Sequence, residues 1–254
     1  MTKIIMHGCN GKMGQVISRL ISEDNTAEVV AGIDVFDTIN NPYPVFNFPK
    51  ECDIDADVII DFSTASAIDS LLEYVKTKKI PLILCTTGLS VDQMSKVKEY
   101  SKKTSIFHSA NMSLGVNLLI GLAKRATEIL SDSNFDIEII EKHHNQKIDA
   151  PSGTALAIAD SINETLNNEY AYKYDRSAEK VKRPKKEIGI HAFRGGTIVG
   201  EHSIIFAGQD EIIELKHNAL SKEIFAVGSI KAAKFIVGKP IGLYTMENLI
   251  NNTL

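Results

Sequence analysis

Lys3-Ile4-Ile5-Met6-His7-Gly8-Cys9-Asn10-Gly11-Lys12-Met13-Gly14 runs from an apolar segment through a glycine-rich turn into a helical pattern. Glycines at 8, 11 and 14 let the chain turn tightly and bring backbone N–H groups close to an anion. The helix that follows offers its positive end to the same place. The spacing is G-x-x-G-x-x-G rather than the commoner G-x-G-x-x-G, and a glycine-rich turn before a helix is also ordinary turn chemistry. Asp34 closes the next apolar run about 20 residues beyond the loop, where an acidic side chain can accept hydrogen bonds from an adenosine ribose. Its plain alternative is a strand-end turn residue. A carboxylate there disfavours the extra phosphate of NADP, while Lys12 is either a compensating cation or a solvated first-turn lysine. The expected cofactor is therefore NADH, with NADPH also accepted.

Outward from that loop, short runs that are apolar throughout alternate with helical patterns. Strands are expected at Lys3–His7, Glu28–Asp34, Asp57–Phe62, Pro81–Cys85 and Ser105–Ser109, and helices at Lys12–Ser22, Ala65–Thr77 and Val91–Lys102. Strands without polar alternation suit a parallel sheet covered on both faces. This half reads as a Rossmann-like, doubly wound α/β domain. Val35–Asp55, with three prolines, reads as a loop holding at most a short helix. Polar turns follow further strands at Phe62-Ser63-Thr64, Cys85-Thr86-Thr87 and Ser109-Ala110-Asn111-Met112. In a doubly wound sheet such strand ends line the ligand crevice.

After Asn111 the character changes. A helix from Leu114 to about Ser131 precedes a strand over Asp136–His144 and a helix starting near Ser152. Tyr170–Glu187 carries seven Lys or Arg and reads as a solvated loop. Thr197–Phe206 and Glu211–His217 flank turn residues as an antiparallel hairpin, and Ile224–Val237 is helical before a Gly-Lys-Pro stop. The second half is thus an α+β domain on an open mixed or antiparallel sheet.

Composition narrows the function classes. The 254 residues carry a net charge of -4, which lacks the basic footprint of general nucleic-acid binding. No apolar run approaches the ~18 residues of a membrane span. Three cysteines with no Cys-x-x-Cys, and no signal-peptide pattern, suit a reduced cytoplasm.

The most informative stretch for chemistry is Glu138-Ile-Ile-Glu141-Lys-His143-His144-Asn-Gln-Lys147-Ile-Asp149-Ala-Pro-Ser152-Gly153-Thr154. A regular strand puts Ile137, Ile139, Glu141 and His143 on one face. Adjacent histidines then diverge, and further ligands at zinc spacing are lacking, so no metal is expected. Histidines, a lysine and a helix N-terminus at Ser152-Gly153-Thr154 make an anion site with proton-transfer groups, suited to a small dianion. A capped helix with surface histidines is the alternative on this stretch alone.

The sequence resembles the 4-hydroxy-tetrahydrodipicolinate (dihydrodipicolinate) reductase family nearly end to end. The resemblance rests on Gly8-Cys-Asn-Gly-Lys-Met-Gly14, Asp61-Phe-Ser-Thr64, Thr86-Thr-Gly88, Asn111-Met-Ser-Leu-Gly-Val-Asn117 and Arg194-Gly-Gly-Thr-Ile-Val-Gly-Glu-His202. Most specific is Glu141-Lys-His-His-Asn-Gln-Lys-Ile-Asp-Ala-Pro-Ser-Gly-Thr-Ala155. It implies NADH- or NADPH-dependent reduction of a small cyclic dicarboxylate on the diaminopimelate route to lysine, in a homotetramer. Another NAD(P)-dependent amino-acid dehydrogenase of similar fold, such as one acting on aspartate, is the alternative. The implied domains are 1–113 with 223–254 for the dinucleotide, and 114–222 for substrate and oligomerisation. By the same resemblance His143 is the general acid/base and Lys147 the proton donor, with His144, Lys147, Ser152, Gly153 and Thr154 on the substrate carboxylates. The cofactor is implied along Gly8, Cys9, Asn10, Gly11, Lys12 and Met13, then Asp34 and Phe62. Its far end falls to Cys85, Thr86, Thr87, Ser109, Ala110, Asn111 and Met112. Cys85 departs from a frequent Gly, Lys222 from a frequent Arg and Ser229 from a frequent Ala.

Overall fold

The computed structural model describes residues 1–36 and 39–252. In chain order its elements are β1 (Thr2–His7), α1 (Lys12–Ser22), β2 (Ala27–Ile33), β3 (Val45–Phe46), β4 (Val58–Asp61), α2 (Ile68–Lys78), β5 (Leu82–Leu84), α3 (Val91–Tyr100) and β6 (Ser105–His108). There follow α4 (Leu114–Leu130), β7 (Asp136–His143), α5 (Gly153–Thr165), β8 (Ala171–Lys173), β9 (Glu187–Arg194), β10 (Gly200–Ala207), β11 (Ile212–Ala219), α6 (Glu223–Ile236), β12 (Gly242–Tyr244) and α7 (Met246–Asn251). The chain divides into two compact units, Met1–Ser113 with Glu223–Leu254, and Leu114–Lys222.

The first unit is a seven-stranded parallel sheet in the order β12-β6-β5-β4-β1-β2-β3. Its central strands are buried on both faces, which is why Ile4-Ile5-Met6, Val58-Ile59-Ile60 and Leu82-Ile83-Leu84 read as unbroken apolar runs. Leu71, Leu72 and Val75 of α2 join Ile5, Ile59 and Leu82 in one core cluster. On α1, Gly14, Ile17 and Ile21 make the buried stripe, at helical spacing. Strand order reverses at β1, where a doubly wound sheet opens a crevice at the carboxyl ends.

The second unit is a five-stranded mixed sheet, β11-β10-β7-β9-β8. Its hairpin β10–β11 and the pair β10–β7 are antiparallel, while β7–β9 and β8–β9 run parallel. One face is covered by α4 and α5, whose Leu119, Ala123, Ile158 and Ile162 pack on Ile137, Ile139, Ile190 and Phe206. Accordingly β7 alternates half-buried and buried along its whole length.

Four readings need correcting. Val35–Asp55 holds not only a short helical turn at Pro49–Glu51 but also β3, which extends the parallel sheet beside β2. Tyr170–Glu187 is not merely a solvated loop. It contains β8, and Arg183, 17% exposed, bonds Asp136, Glu138 and the carbonyls of Ile137 and Glu187. A strand over Glu187–Arg194 was not expected; it follows directly on the polar basic stretch, and its outer half, His191 to Arg194, is largely exposed. Short β12 and α7 after the Gly-Lys-Pro stop were also unforeseen. No helix among the described residues is long and apolar enough to cross a membrane.

Gly8 sits at φ +81°, and a Cβ there would lie 2.6 Å from the Phe62 carbonyl oxygen. At Gly14 a Cβ would stand 2.2 Å from the Gly8 carbonyl oxygen and 2.7 Å from Cys9 Cα, so α1 must approach the loop backbone closely. Replacing a helical Gly by Ala ordinarily gains about 1 kcal/mol. Here the fixed backbone clash outweighs that gain, and Gly14→Ala is expected to lower the urea midpoint. A midpoint at or above that of the parent would refute the close-packing account.

Candidate active site

At the carboxyl end of the first sheet, a cavity of about 520 Å³ is lined by His7, Gly8, Asn10, Gly11, Asp34, Phe36, Phe48, Phe62, Ser63 and Thr64, among others. The loop fits a dinucleotide diphosphate: Gly8, at φ +81° and packed against the Phe62 carbonyl, makes the tight turn, and Gly11 is the N-cap of α1 and places no side chain over the helix N-terminus. Asp34 Oδ2 accepts from the Asn10 N–H at 2.9 Å and Oδ1 from the Phe36 N–H at 3.0 Å. Each carboxylate oxygen keeps a lone pair for a ribose hydroxyl. Lys12 is exposed on the first turn of α1, and Cys9 is wholly buried.

The remaining expected residues of this unit lie on neighbouring strand ends. Cys85 and Thr86 are buried after β5, and burial pushes the Cys85 thiol up, so it stays neutral. Thr87 and Ala110 are exposed, while Ser109 and Asn111 are half-buried. Met112 is pressed on by α6, where a Cβ on Gly228 would fall 1.7 Å from the Met112 carbonyl oxygen. One residue given no role from sequence organises these turns. Asp61, fully buried at the end of β4, bonds His7 Nδ1 at 2.7 Å and accepts from Thr86 Oγ1 at 2.7 Å and Ser63 Oγ at 2.6 Å.

In the second unit the apolar face of β7 ends in a polar cluster. Glu141 is fully buried, and its carboxylate takes four hydrogen bonds. Oε1 accepts from Arg194 Nη2 at 2.7 Å and from the Ser152 N–H at 3.0 Å. Oε2 accepts from Arg194 Nη1 at 2.8 Å and pairs with His143 Nδ1 at 2.6 Å. Ser152 is the N-cap of α5, accepting from the Ala155 N–H at 3.1 Å and sharing a hydrogen bond with His202 Nε2 at 3.0 Å. Gly153 and Thr154 open α5, half-buried His144 follows β7, and Lys147 Nζ donates to Asp149 Oδ1 at 2.8 Å. Lys222 is exposed, and nothing in the structure explains its departure from Arg. Ser229 fits where it stands, its hydroxyl donating to the Ala226 carbonyl at 2.8 Å.

Burial pulls His143 below the ordinary histidine range, against the opposing pull of Glu141, and Lys147 and Arg194 add to the depression. His202 is pulled to about 4 by burial and by neighbouring His143. For Glu141 burial acts upward, but the bonds from Arg194, His143 and Ser152 outweigh it and hold the carboxyl below its usual range. No group of three or more His, Cys, Asp or Glu able to hold a metal occurs among the described residues.

Residues 2–112 match the family model described as "Dihydrodipicolinate reductase, N-terminus", and residues 115–250 match "Dihydrodipicolinate reductase, C-terminus". The chain belongs to the dihydrodipicolinate reductase family. A curated relative named 4-hydroxy-tetrahydrodipicolinate reductase, from Clostridium novyi, is 52% identical over 252 residues, covering 99% of each chain. Another of that name, from Caldanaerobacter subterraneus subsp. tengcongensis, is 52% identical over 98% of each. The dipicolinate-bound dihydrodipicolinate reductase from Paenisporosarcina sp. TG-14 shares the fold, with TM-score 0.81 and 24% identity, covering 96% of this chain and 97% of that one. A nicotinamide cofactor goes with the family.

Glu141, Arg194 and His202 stand within the family motifs, yet nothing local marks them as partners; Glu141 and Arg194 lie 53 positions apart. The depressed His202 has a measurable consequence. Its unfolded form binds a proton near pH 6.5 that the folded form refuses until about 4. The contribution of His202 to stability is therefore complete above about pH 6.5 and is lost, about 3 kcal/mol in all, as pH drops towards 4. In His202→Asn the slope of unfolding free energy over that interval should flatten; an unchanged slope would rule out His202 as its source.

Proposed function

We propose that this chain reduces 4-hydroxy-tetrahydrodipicolinate to tetrahydrodipicolinate, a step in the diaminopimelate route to lysine. The observation that carries the reading is the family match across both halves, and the cluster of His143, Glu141, Arg194 and the α5 N-terminus supports it. Substrate, NAD(P)H and a proton give product, NAD(P)+ and water. A bound dihydronicotinamide supplies a hydride for ring C4 of the substrate.

The protein's own groups do the rest. The unit of 1–113 and 223–254 holds the dinucleotide, with the Gly8–Met13 amides on the diphosphate and Asp34 on the ribose. Phe62, Cys85–Thr87 and Ser109–Met112 line the remainder. In the unit of 114–222, His144, Lys147, Ser152, Gly153 and Thr154 hold the substrate carboxylates. His143 exchanges the proton at Nε2, and Lys147 gives the proton that reaches the carbon next to C4. Before hydride arrives, the 4-hydroxyl leaves as water with a hydrogen from the neighbouring carbon, the carbon that Lys147 later protonates. Positive charge from Lys147 and the helix end favours the electron-rich transition state over the ground state.

NADH is the preferred cofactor. Asp34 lines the cavity, and no Lys or Arg is among its described lining residues to meet a 2′-phosphate. The assembly is a homotetramer, supported by the apolar Ile140, Phe193, Ile205 and Ile212 on the sheet face opposite α4 and α5. The setting is the cytoplasm, which suits three buried, free cysteines.

Absorbance assays with substrate generated in situ by the preceding synthase test the reading. NADH oxidation that requires substrate is expected, with kcat/KM for NADH at least ~10-fold above NADPH, a gap of about 1.4 kcal/mol. Asp34→Asn should narrow that ratio, and an NADPH preference in the parent would overturn the cofactor assignment. Lys147→Ala should cost about 10²-fold or more in turnover with NADH binding intact. Near-normal turnover in that variant would remove Lys147 from the mechanism. A lack of oxidation with either cofactor, from protein that binds NADH, would point to another substrate. Sedimentation at a mass other than four chains would refute the tetramer.

A further inference from the structure

We propose that Glu141 is the positioning residue of this site. Its carboxylate, gripped by Arg194, holds His143 with the proton on Nδ1 and presents Nε2 as the proton-exchanging atom, while tying the same imidazole to the N-terminus of α5. The inference rests on the reductase reading for its chemical purpose, but its geometry is independent of that reading.

An ionised carboxylate only accepts, so a ring nitrogen 2.6 Å from Glu141 Oε2 must be the donor. The neutral ring then carries its hydrogen on Nδ1 and leaves Nε2 bare. Gly200 of β10 stands where a Cβ would come within 3.1 Å of that Nε2, so at this position β10 sets no side chain over it. The carboxylate cannot swing away, because all four lone-pair positions are engaged. Arg194 takes two of them in a fork, the geometry that fixes a carboxylate plane most firmly. Arg194 is itself anchored on the carbonyls of Asp149 and Phe193. The fourth bond comes from the Ser152 N–H, so the group that orients the imidazole also sets the first turn of the helix.

Stability alone gives a poor reason for this arrangement. Glu141 continues the face of Ile137 and Ile139, where another aliphatic residue would pack without desolvating a charge. Buried ion pairs are often no more stabilising than well-packed apolar replacements. The charges facing His143 come from several elements: Glu141 on its own strand, Arg194 on β9, His202 on β10 with ring centroids 5.2 Å apart, and Lys147 on the loop after β7. Glu141 is the one among these that favours the imidazolium, so its removal should make protonation of His143 harder.

Nitrogen NMR of 15N-histidine-labelled protein tests this without turnover, with the His143 signals assigned by their loss in His143→Gln. At pH 8 the parent should show the Nδ1–H tautomer; an Nε2–H tautomer would overturn the proposal whatever the enzyme's activity. In Glu141→Gln the titration midpoint of His143 should fall by about one unit or more, and the acid limb of kcat/KM should move down with it. Turnover should fall about 10²-fold or more with the NADH dissociation constant unchanged. A folded Glu141→Gln protein with parental midpoint and pH profile would reduce Glu141 to a structural role. Arg194→Lys, which keeps charge but loses the fork, should lower turnover in the same direction, and unaltered turnover there would refute the clamp. Failure of NADH oxidation in the parent would strike the reductase reading alone.

Discussion

A carboxylate withdrawn from water has to be met by donors on its open sides, and each unit of this protein builds its strand ends around one such group. Asp61 and Glu141 are both fully buried. Leaving either charge uncompensated would cost several kcal/mol, so the donors are as fixed as the acceptors. Asp61 gathers His7 from β1, Ser63 from the turn after β4 and Thr86 from the turn after β5. Three strand ends that could each bend separately are thereby held in one arrangement. Glu141 does the same for His143, Arg194 and the start of α5.

The two sheets reach this result by different routes. The parallel sheet is covered on both faces, so its polar chemistry is confined to the carboxyl ends, where Gly8 and Gly14 let loop, strand and helix approach closely. The mixed sheet is covered by α4 and α5 on one face, and polar residues enter that face only where the apolar cover ends. The registers place Glu141 opposite His202 on β10 and His143 opposite Arg194 on β9. A register slip of one residue would turn every one of these side chains to the other face.

The electrostatic consequence is a site rich in cationic groups that burial keeps partly neutral. His143 and His202 sit below the ordinary histidine range, while Arg194 stays charged and is neutralised by Glu141. A helix N-terminus adds partial positive charge without a titratable proton. Such a site suits a small dianion because attraction comes from fixed dipoles and paired cations, while the imidazole remains available to exchange a proton.

The residue pattern by itself determined the parallel half, because strands buried on both faces must be apolar throughout. It also determined which face of β7 is buried, since Ile137, Ile139, Glu141 and His143 follow the strand period of two. The stretch around His143 and Lys147 could be picked out as a candidate for the same local reason: its residues are close in sequence. Pairings that span the chain were left to the tertiary structure. Arg194 meets Glu141 only through the parallel ladder between β7 and β9, and His202 only through an antiparallel one. Arg183 likewise left its basic stretch because carbonyls and carboxylates at the start of β7 came within its reach. Propensity and periodicity act over a few residues; which donor satisfies a buried carboxylate depends on strand register, and that is decided only when the sheet closes.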